Sequence, residues 1–240
     1  HNNPCGVAVD KDPEKALEQA LAADPVSVFG GIVAINRPLT DTMAERLAAL
    51  FLECIIVPRV SDSARSVLEK KKNLRVLVWP EMMSGEPSWD VRSVSGGFLV
   101  QTSDQVEAWS TEWSILGEKP SEDIKRDLSL AWTVVRHLKS NAITLVSEGR
   151  TVGLGMGQVN RVEAVEHAIH RMKTHHSKVL SPVLASDAFF PFADSIERIA
   201  AAGIRWVIQP GGSIKDQEVI ECAQRLKVNL ILTGKRHFKH

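Results

Sequence analysis

Net charge is the first thing this sequence lacks. Its 29 Lys and Arg are balanced by 29 Asp and Glu. That argues against a broad surface for nucleic acid or an acidic membrane, while a local anion pocket stays open. Cysteine is sparse as well. Cys5, Cys54 and Cys222 stand far apart, with no C-x-x-C or H-x-E pairing. Metal binding through cysteine, zinc above all, is therefore disfavoured, and reduced thiols in a cytosolic setting are expected. No apolar run approaches the roughly 20 residues needed to span a membrane. No signal peptide is visible, but the chain begins His1-Asn2-Asn3 without methionine, so its first residues read as a cut edge. Tyrosine is absent while tryptophan occurs six times, which has no evident physical account.

What is present is ordinary for a soluble globular protein: 44% apolar and 24% charged residues in a chain of 240. That length holds one large domain or two small ones. Helical and strand-like segments alternate nearly throughout. Asp12-Pro13-Glu14 starts a helix running to about Ala23. Gly30–Ile35 reads as a strand, Asp41–Leu52 as an amphipathic helix and Cys54–Val57 as a buried strand stopped by Pro58. Ser61–Lys72 is the next helix and Leu74–Trp79 the next strand. Pro80–Arg92, with its prolines, glycine and serines, reads as a loop, and Gly97–Gln101 as a short strand. Ser121 caps a long helix reaching Lys139. Ala142–Val146 and Thr151–Leu154 form a hairpin about Glu148-Gly149. Val162–Thr174 is helical. The end of the chain repeats strand and helix: Val183–Ala185, Ser195–Ala202, Arg205–Ile208, Asp216–Leu226 and Val228–Leu232. This alternation predicts an α/β fold with a largely parallel sheet, in two lobes divided near Gly117–Pro120.

Ala185-Ser-Asp-Ala-Phe-Phe-Pro-Phe192 gathers three of the seven phenylalanines within four residues, beside a carboxylate. Aromatics at a strand end make walls for flat ligands, and a core plug is the other reading. Gly153-Leu-Gly-Met-Gly157, followed by Arg161, is a glycine-rich turn entering a helix. It fits either an anion site strengthened by Arg161 or a tight structural turn; its spacing matches neither the dinucleotide nor the Walker loop. Gln209-Pro-Gly-Gly-Ser-Ile214 sets a backbone path that leaves amides free, or simply joins strand to helix. Asn141 either caps a helix end or hydrogen-bonds a substrate carbonyl or developing oxyanion. Glu53 reads as a solvated strand end, and Lys235–His240 as a frayed tail. His175-His176 reads as a solvated helix end, and His167 and His170 as lacking partners.

Taken in order, seven segments carry a resemblance: His1–Gly6, Asp24–Gly31, Lys139-Ser-Asn-Ala-Ile143, Gly155–Arg161, Ser186–Phe192, Gln209–Ile214 and Arg236–His240. Together they resemble the transformylase part of the AICAR transformylase/IMP cyclohydrolase family of purine biosynthesis, over essentially the whole chain. The resemblance implies formyl transfer from the cosubstrate 10-formyltetrahydrofolate to the 5-amino group of AICAR. It implies two cytidine-deaminase-like lobes without the deaminase zinc, residues 1–118 (incomplete at its N-terminal edge) and 119–240. Active sites at a homodimer interface and a cytoplasmic location are also implied. The family carries a structural potassium ion, and the residues leave open whether this chain keeps it.

Carried over position by position, His1 matches the catalytic histidine that takes the proton from the attacking amine, and Asn141 the asparagine near the transferring formyl group. Gly30, Glu53, Arg161, Phe189 and Arg236 match AICAR contacts. Val162, Asp194, Ser213 and Ile214 match the folate side. On this reading the tail is tied down, Phe189 is the wall, and Phe190 and Phe192 are packing behind it. The family has a lysine just before the histidine matched by His1, an upstream arginine-bearing segment and a cyclohydrolase domain. None of these lies in this sequence. The chain is thus expected to be the C-terminal part of a longer protein, and inactive or severely impaired by itself. A noncatalytic nucleotide-binding or assembly module of the same fold is the competing expectation. A zinc nucleobase deaminase is disfavoured because its ligands are absent.

Overall fold

Five helices of this chain start where a side chain accepts a free backbone amide. Asp12 Oδ1 accepts the Glu14 amide at 2.9 Å and opens α1 (Pro13–Ala23), with proline at the first helical position. Thr40, Ser61 and Ser121 do the same for α2 (Asp41–Ala48), α3 (Asp62–Leu68) and α4 (Glu122–Val135). Asn160 caps α5 (Arg161–His175). The computed structural model describes residues 3–84, 89–107, 109–176 and 178–240. The chain divides into two compact units: residues 11–18 with 25–105, and residues 1–10, 19–24 and 106–240.

The smaller unit is a three-stranded parallel sheet, order β1 (Gly31–Ala34), β2 (Leu52–Val57), β3 (Arg75–Val78), with α2 and α3 as the connections. Ile55 and Val57 on the central strand are fully buried, as are Met43, Ala44 and Leu47 on α2 to within 1% exposure. A separate antiparallel ribbon follows, β4 (Trp89–Val94) with β5 (Gly97–Thr102). The residues read as a loop therefore include a strand. It escaped the pattern because all but one of its residues are exposed, so no face alternates between apolar and polar. The α2 helix also stops earlier than expected, and Phe51 lies beyond it, exposed.

The larger unit holds a six-stranded sheet, order β6–β11–β10–β9–β7–β8. The strands are β6 (Ser114–Leu116), β7 (Ile143–Ser147), β8 (Arg150–Gly155), β9 (Val183–Ser186), β10 (Trp206–Gln209) and β11 (Asn229–Leu232). The last three are mutually parallel; β7 runs antiparallel to β8 and β9, and β6 antiparallel to β11. Both faces are covered, which is why these strands read as continuous apolar runs. Leu184, Val207 and Leu230 face a core with α5, α6 (Asp194–Ala201) and α7 (Asp216–Arg225). Ala185, Ile208 and Ile231, one residue on, face Trp132 and its neighbours on α4. The helix α4 ends at Val135 rather than Lys139, followed by turns.

Gly153 and Gly155 explain themselves here. A Cβ at either would stand 2.2 Å from the Ala168 carbonyl or 2.0 Å from that of Ala164. Their role is to let α5 lie flat on β8, which is the structural reading of these two glycines. Among the described residues no helix is long and apolar enough to cross a membrane.

Candidate active site

The register of the larger sheet brings one edge together. Ile143 pairs with both Gly155 and Ser186, Ala185 with Ile208, and Ile208 with Ile231. The start of β7 thus lies beside the carboxyl ends of β8, β9 and the strands beyond, where open α/β sheets offer a crevice. The segment 139–142 enters this edge, and its Ser140–Asn141 peptide bond is cis.

Asp187, immediately after β9, is fully buried and organises that edge. Its Oδ2 accepts the Ser140 hydroxyl at 2.6 Å and its Oδ1 the Ala142 amide at 3.1 Å. Oδ1 also pairs with Arg161 Nη1, and both side chains are almost inaccessible, at 0% and 5% exposure. Arg161 Nη1 donates further to Ser186 Oγ at 3.0 Å, and its Nη2 to Asn141 Oδ1 at 2.7 Å. Asn141 Nδ2 donates to the Gln158 carbonyl at 2.9 Å. Asn141 therefore caps no helix carbonyl. The charge of Arg161 is matched by this buried carboxylate.

The C-terminal tail is held at the same place. The Ser140 amide donates to the Lys239 carbonyl at 2.9 Å, and the His237 amide to the Asp187 carbonyl at 2.9 Å. The Lys239 amide returns a bond to Ser140 Oγ at 3.0 Å. His237 is buried, its ring edge-on to Trp132 at 4.7 Å between centroids. The tail is thus ordered against the sheet edge, not frayed. Near the chain start, Asn3 Oδ1 accepts the Lys139 amide at 2.9 Å.

The structure brings together Asn141 and Arg161 by direct contact. Phe189 and Arg236 are carried close in sequence, as near neighbours of Asp187 and His237; Phe189 is half-buried, and Arg236 is exposed with its guanidinium 5.4 Å from the Phe238 ring. Phe190 is fully buried, as packing requires, and its amide donates to Gln209 Oε1 at 2.9 Å. Phe192 departs from the packing role: it is half exposed, with the Lys215 ammonium 4.7 Å from its ring.

On the folate-side positions, Val162 lies in the first turn of α5, and Asp194 Oδ1 accepts the Ser195 amide at 2.7 Å. Ile214 is fully exposed. The amides of Gly212 and Ser213, expected to be free, are both taken by Asp216, at 2.6 and 3.0 Å. Two further expectations fail locally. His176 Nε2 sits 2.9 Å from the Ala23 carbonyl, and His167 Nδ1 3.4 Å from Gln158 Nε2, so neither is a bare solvated histidine.

Gly30 and Glu53 belong to the smaller unit. Gly30 takes a positive φ of 70°, and its amide donates to the Phe51 carbonyl at 2.9 Å. Glu53 pairs with Arg75 at 3.1 Å on the surface. His1 lies outside the described residues. Among the described residues no group of three or more His, Cys, Asp or Glu is placed to hold a metal ion. Asp187, Ser140 and Gln158 were missed as site residues. The one available signal was a carboxylate two residues after the apolar run Val183-Leu184-Ala185.

Fold and site together define an α/β protein whose polar centre sits at one sheet edge, built from the ends of several strands and the chain's tail. The family model for the AICARFT/IMPCHase bienzyme matches residues 1–171. The chain belongs to that family. It is 47% identical over 244 residues to the bifunctional purine biosynthesis protein PurH of Desulfitobacterium hafniense (strain DSM 10664 / DCB-2), covering 100% of this chain and 46% of that protein. It is 45% identical over 240 residues to the protein of that name from Caldicellulosiruptor bescii and 46% over 241 residues to that from Synechocystis sp. (strain ATCC 27184 / PCC 6803 / Kazusa), with the same coverage. The chain thus spans a little under half the length of the curated relatives it matches.

Proposed function

We propose that this chain carries the formyltransferase part of a bifunctional purine-biosynthesis enzyme. The reaction is transfer of the formyl group of 10-formyltetrahydrofolate to the 5-amino group of AICAR. One observation carries the reading. Four of the segments through which the family resemblance runs, 139–143, 155–161, 186–192 and 236–240, meet in one hydrogen-bonded cluster around Asp187 and Arg161. Segments kept only for packing have no need to converge on a buried polar centre.

In this reading the AICAR amine attacks the formyl carbon, the carbonyl oxygen takes up negative charge, and the tetrahedral intermediate expels tetrahydrofolate as the C–N10 bond breaks and N10 takes up a proton. The amine is conjugated into an imidazole ring and is a weak nucleophile, so His1 serves as the base that takes its proton. Asn141 directs an amide at the developing oxyanion. Gly30, Glu53, Arg161, Phe189 and Arg236 bind AICAR, and Val162, Asp194, Ser213 and Ile214 the folate. The two lobes, 1–118 and 119–240, take the cytidine-deaminase-like fold, and the working protein is a cytoplasmic homodimer with sites shared between subunits.

The test mixes the full-length gene product with AICAR and 10-formyltetrahydrofolate and follows tetrahydrofolate formation. Turnover that requires both substrates supports the proposal. A folded protein that forms no product rejects it. If that protein still binds AICAR, it is a noncatalytic nucleotide-binding module instead.

A further inference from the structure

We infer that Asp187 is a positioning residue for the proposed formyl transfer, fixing Arg161 and, through it, the orientation of the Asn141 amide. This rests on the formyl-transfer reading. Asp187 is 0% exposed, so it touches no substrate and acts only through its neighbours. Its carboxylate is fully engaged: Oδ1 by Arg161 Nη1 and the Ala142 amide, Oδ2 by the Ser140 hydroxyl. Its backbone adds two ties, donating to the Ala142 carbonyl at 3.2 Å and accepting the His237 amide at 2.9 Å. One residue thereby joins the loop before β7, the start of α5, the end of β9 and the C-terminal tail.

The chemistry of the groups gives this a direction. Guanidinium has only donors, so whichever end of the Asn141 amide meets Arg161 must be the oxygen. The nitrogen is then turned to the Gln158 carbonyl, as observed at 2.9 Å. Arg161 in turn is held by a carboxylate whose other bonds come from the Ala142 amide and the Ser140 hydroxyl, on a residue whose backbone is tied to Ala142 and His237. An unpaired guanidinium at this depth would be strongly unfavourable and would reorient toward water. Asp187 therefore decides where the Arg161 fork points, and the fork decides which end of Asn141 is presented. A displacement of about 1 Å in such a shell costs on the order of 100-fold in rate.

The experiment uses the full-length protein and Asp187→Asn, which keeps shape and removes the charge. Formyl-transfer kinetics with varied AICAR, AICAR binding by calorimetry and thermal unfolding are measured together. The expected result is a fall of about 100-fold in kcat with a smaller rise in KM. In an Arg161→Lys background the same change is expected to cost less than about 3-fold, because the fork it positions is gone. A kcat within about 3-fold of wild type overturns the inference. So does a full multiplicative loss in the Arg161→Lys background, the mark of two residues acting independently. If Asp187→Asn does not fold, Ser140→Ala decides: it removes one donor to Oδ2 and leaves both charges. A kcat loss of about 5-fold or more with an unfolding midpoint near wild type supports the inference, and an unchanged kcat overturns it. Wild-type protein that transfers no formyl group rejects the formyl-transfer reading itself; active wild type with an equally active Asp187→Asn rejects only the positioning role.

Discussion

Asp127 on α4 reaches across to the β7–β8 turn, where its Oδ1 accepts the Gly149 amide at 2.8 Å and its Oδ2 the Glu148 amide at 2.8 Å. Glu148 and Gly149 both have positive φ, 52° and 75°, so the turn leaves two adjacent amides pointing one way. A carboxylate is the side chain that accepts both. Asp127→Ala is expected to cost about 1–3 kcal/mol, read from denaturant unfolding. Burial, the largest influence, pushes this carboxyl above its ordinary value of 3.8, against the smaller pull of the two amides. The folded protein thus keeps this proton to higher pH than the unfolded chain does. Stability is lost as pH rises from 3.8 through the folded value. The stability difference between wild type and Asp127→Asn should shrink across that interval; a difference that grows with pH contradicts the assignment.

Two glycines two residues apart in the sequence, Gly155 and Gly157, should behave very differently. Gly155→Ala places a Cβ 2.0 Å from the Ala164 carbonyl, a backbone atom that cannot swing aside. Either α5 lifts from β8 or the strand bends, at an expected cost of about 3 kcal/mol. Gly157 has open space around its missing Cβ but a φ of 67°. Gly157→Ala should cost only about 1–2 kcal/mol, the penalty for a left-handed residue. Denaturant midpoints for the pair decide the matter, and equal losses would sink the packing account.

The part of the fold written locally was legible. The Asp12 and Ser121 caps, the Glu148-Gly149 turn and the run of alternating strands and helices each need only neighbouring residues to declare them. The ribbon strand Trp89–Val94 was not legible, because a strand exposed on both faces has no period to detect. The site was legible only in pieces. Arg161 and Asp187 pair across a sequence separation of 26 residues, and the tail meets Ser140 across 99. Nothing in either segment alone names its partner. Asp216 shows the same limit at short range: a helix-start carboxylate consumed the amides that Gly211-Gly212 were expected to leave free.

Cys5 offers a test that needs no substrate. Burial, and after it the Asp24 carboxylate, push this thiol above its ordinary value of 9.0, with Arg171 pulling more weakly the other way. The thiolate is the reactive form, so alkylation of Cys5 should be slow at neutral pH. Its rate should rise with a midpoint above 9.0. Iodoacetamide labelling followed by peptide mass analysis across pH reads this directly, and a midpoint below that value would contradict the placement of Asp24. The folded protein keeps the thiol proton longer than the unfolded chain, so stability should also fall as pH rises from 9.0 through the folded value.

Asn141 separates a chemical role from a structural one. Its side chain makes two hydrogen bonds, to the Gln158 carbonyl and from Arg161 Nη2. Asn141→Ala forfeits both, and the expected loss of stability is about 1–3 kcal/mol, since the stranded Arg161 nitrogen must find another acceptor. If Asn141 directs its amide at a developing oxyanion, removing it should lower kcat by roughly 100- to 1,000-fold. The loss should appear in kcat and kcat/KM alike, because the interaction strengthens only as charge develops. The measurements are formyl-transfer kinetics and denaturant unfolding on the same full-length preparation. A turnover loss no larger than the fraction of protein unfolded would return Asn141 to a purely structural role, and with it remove the residue on which the proposed transition-state contact depends.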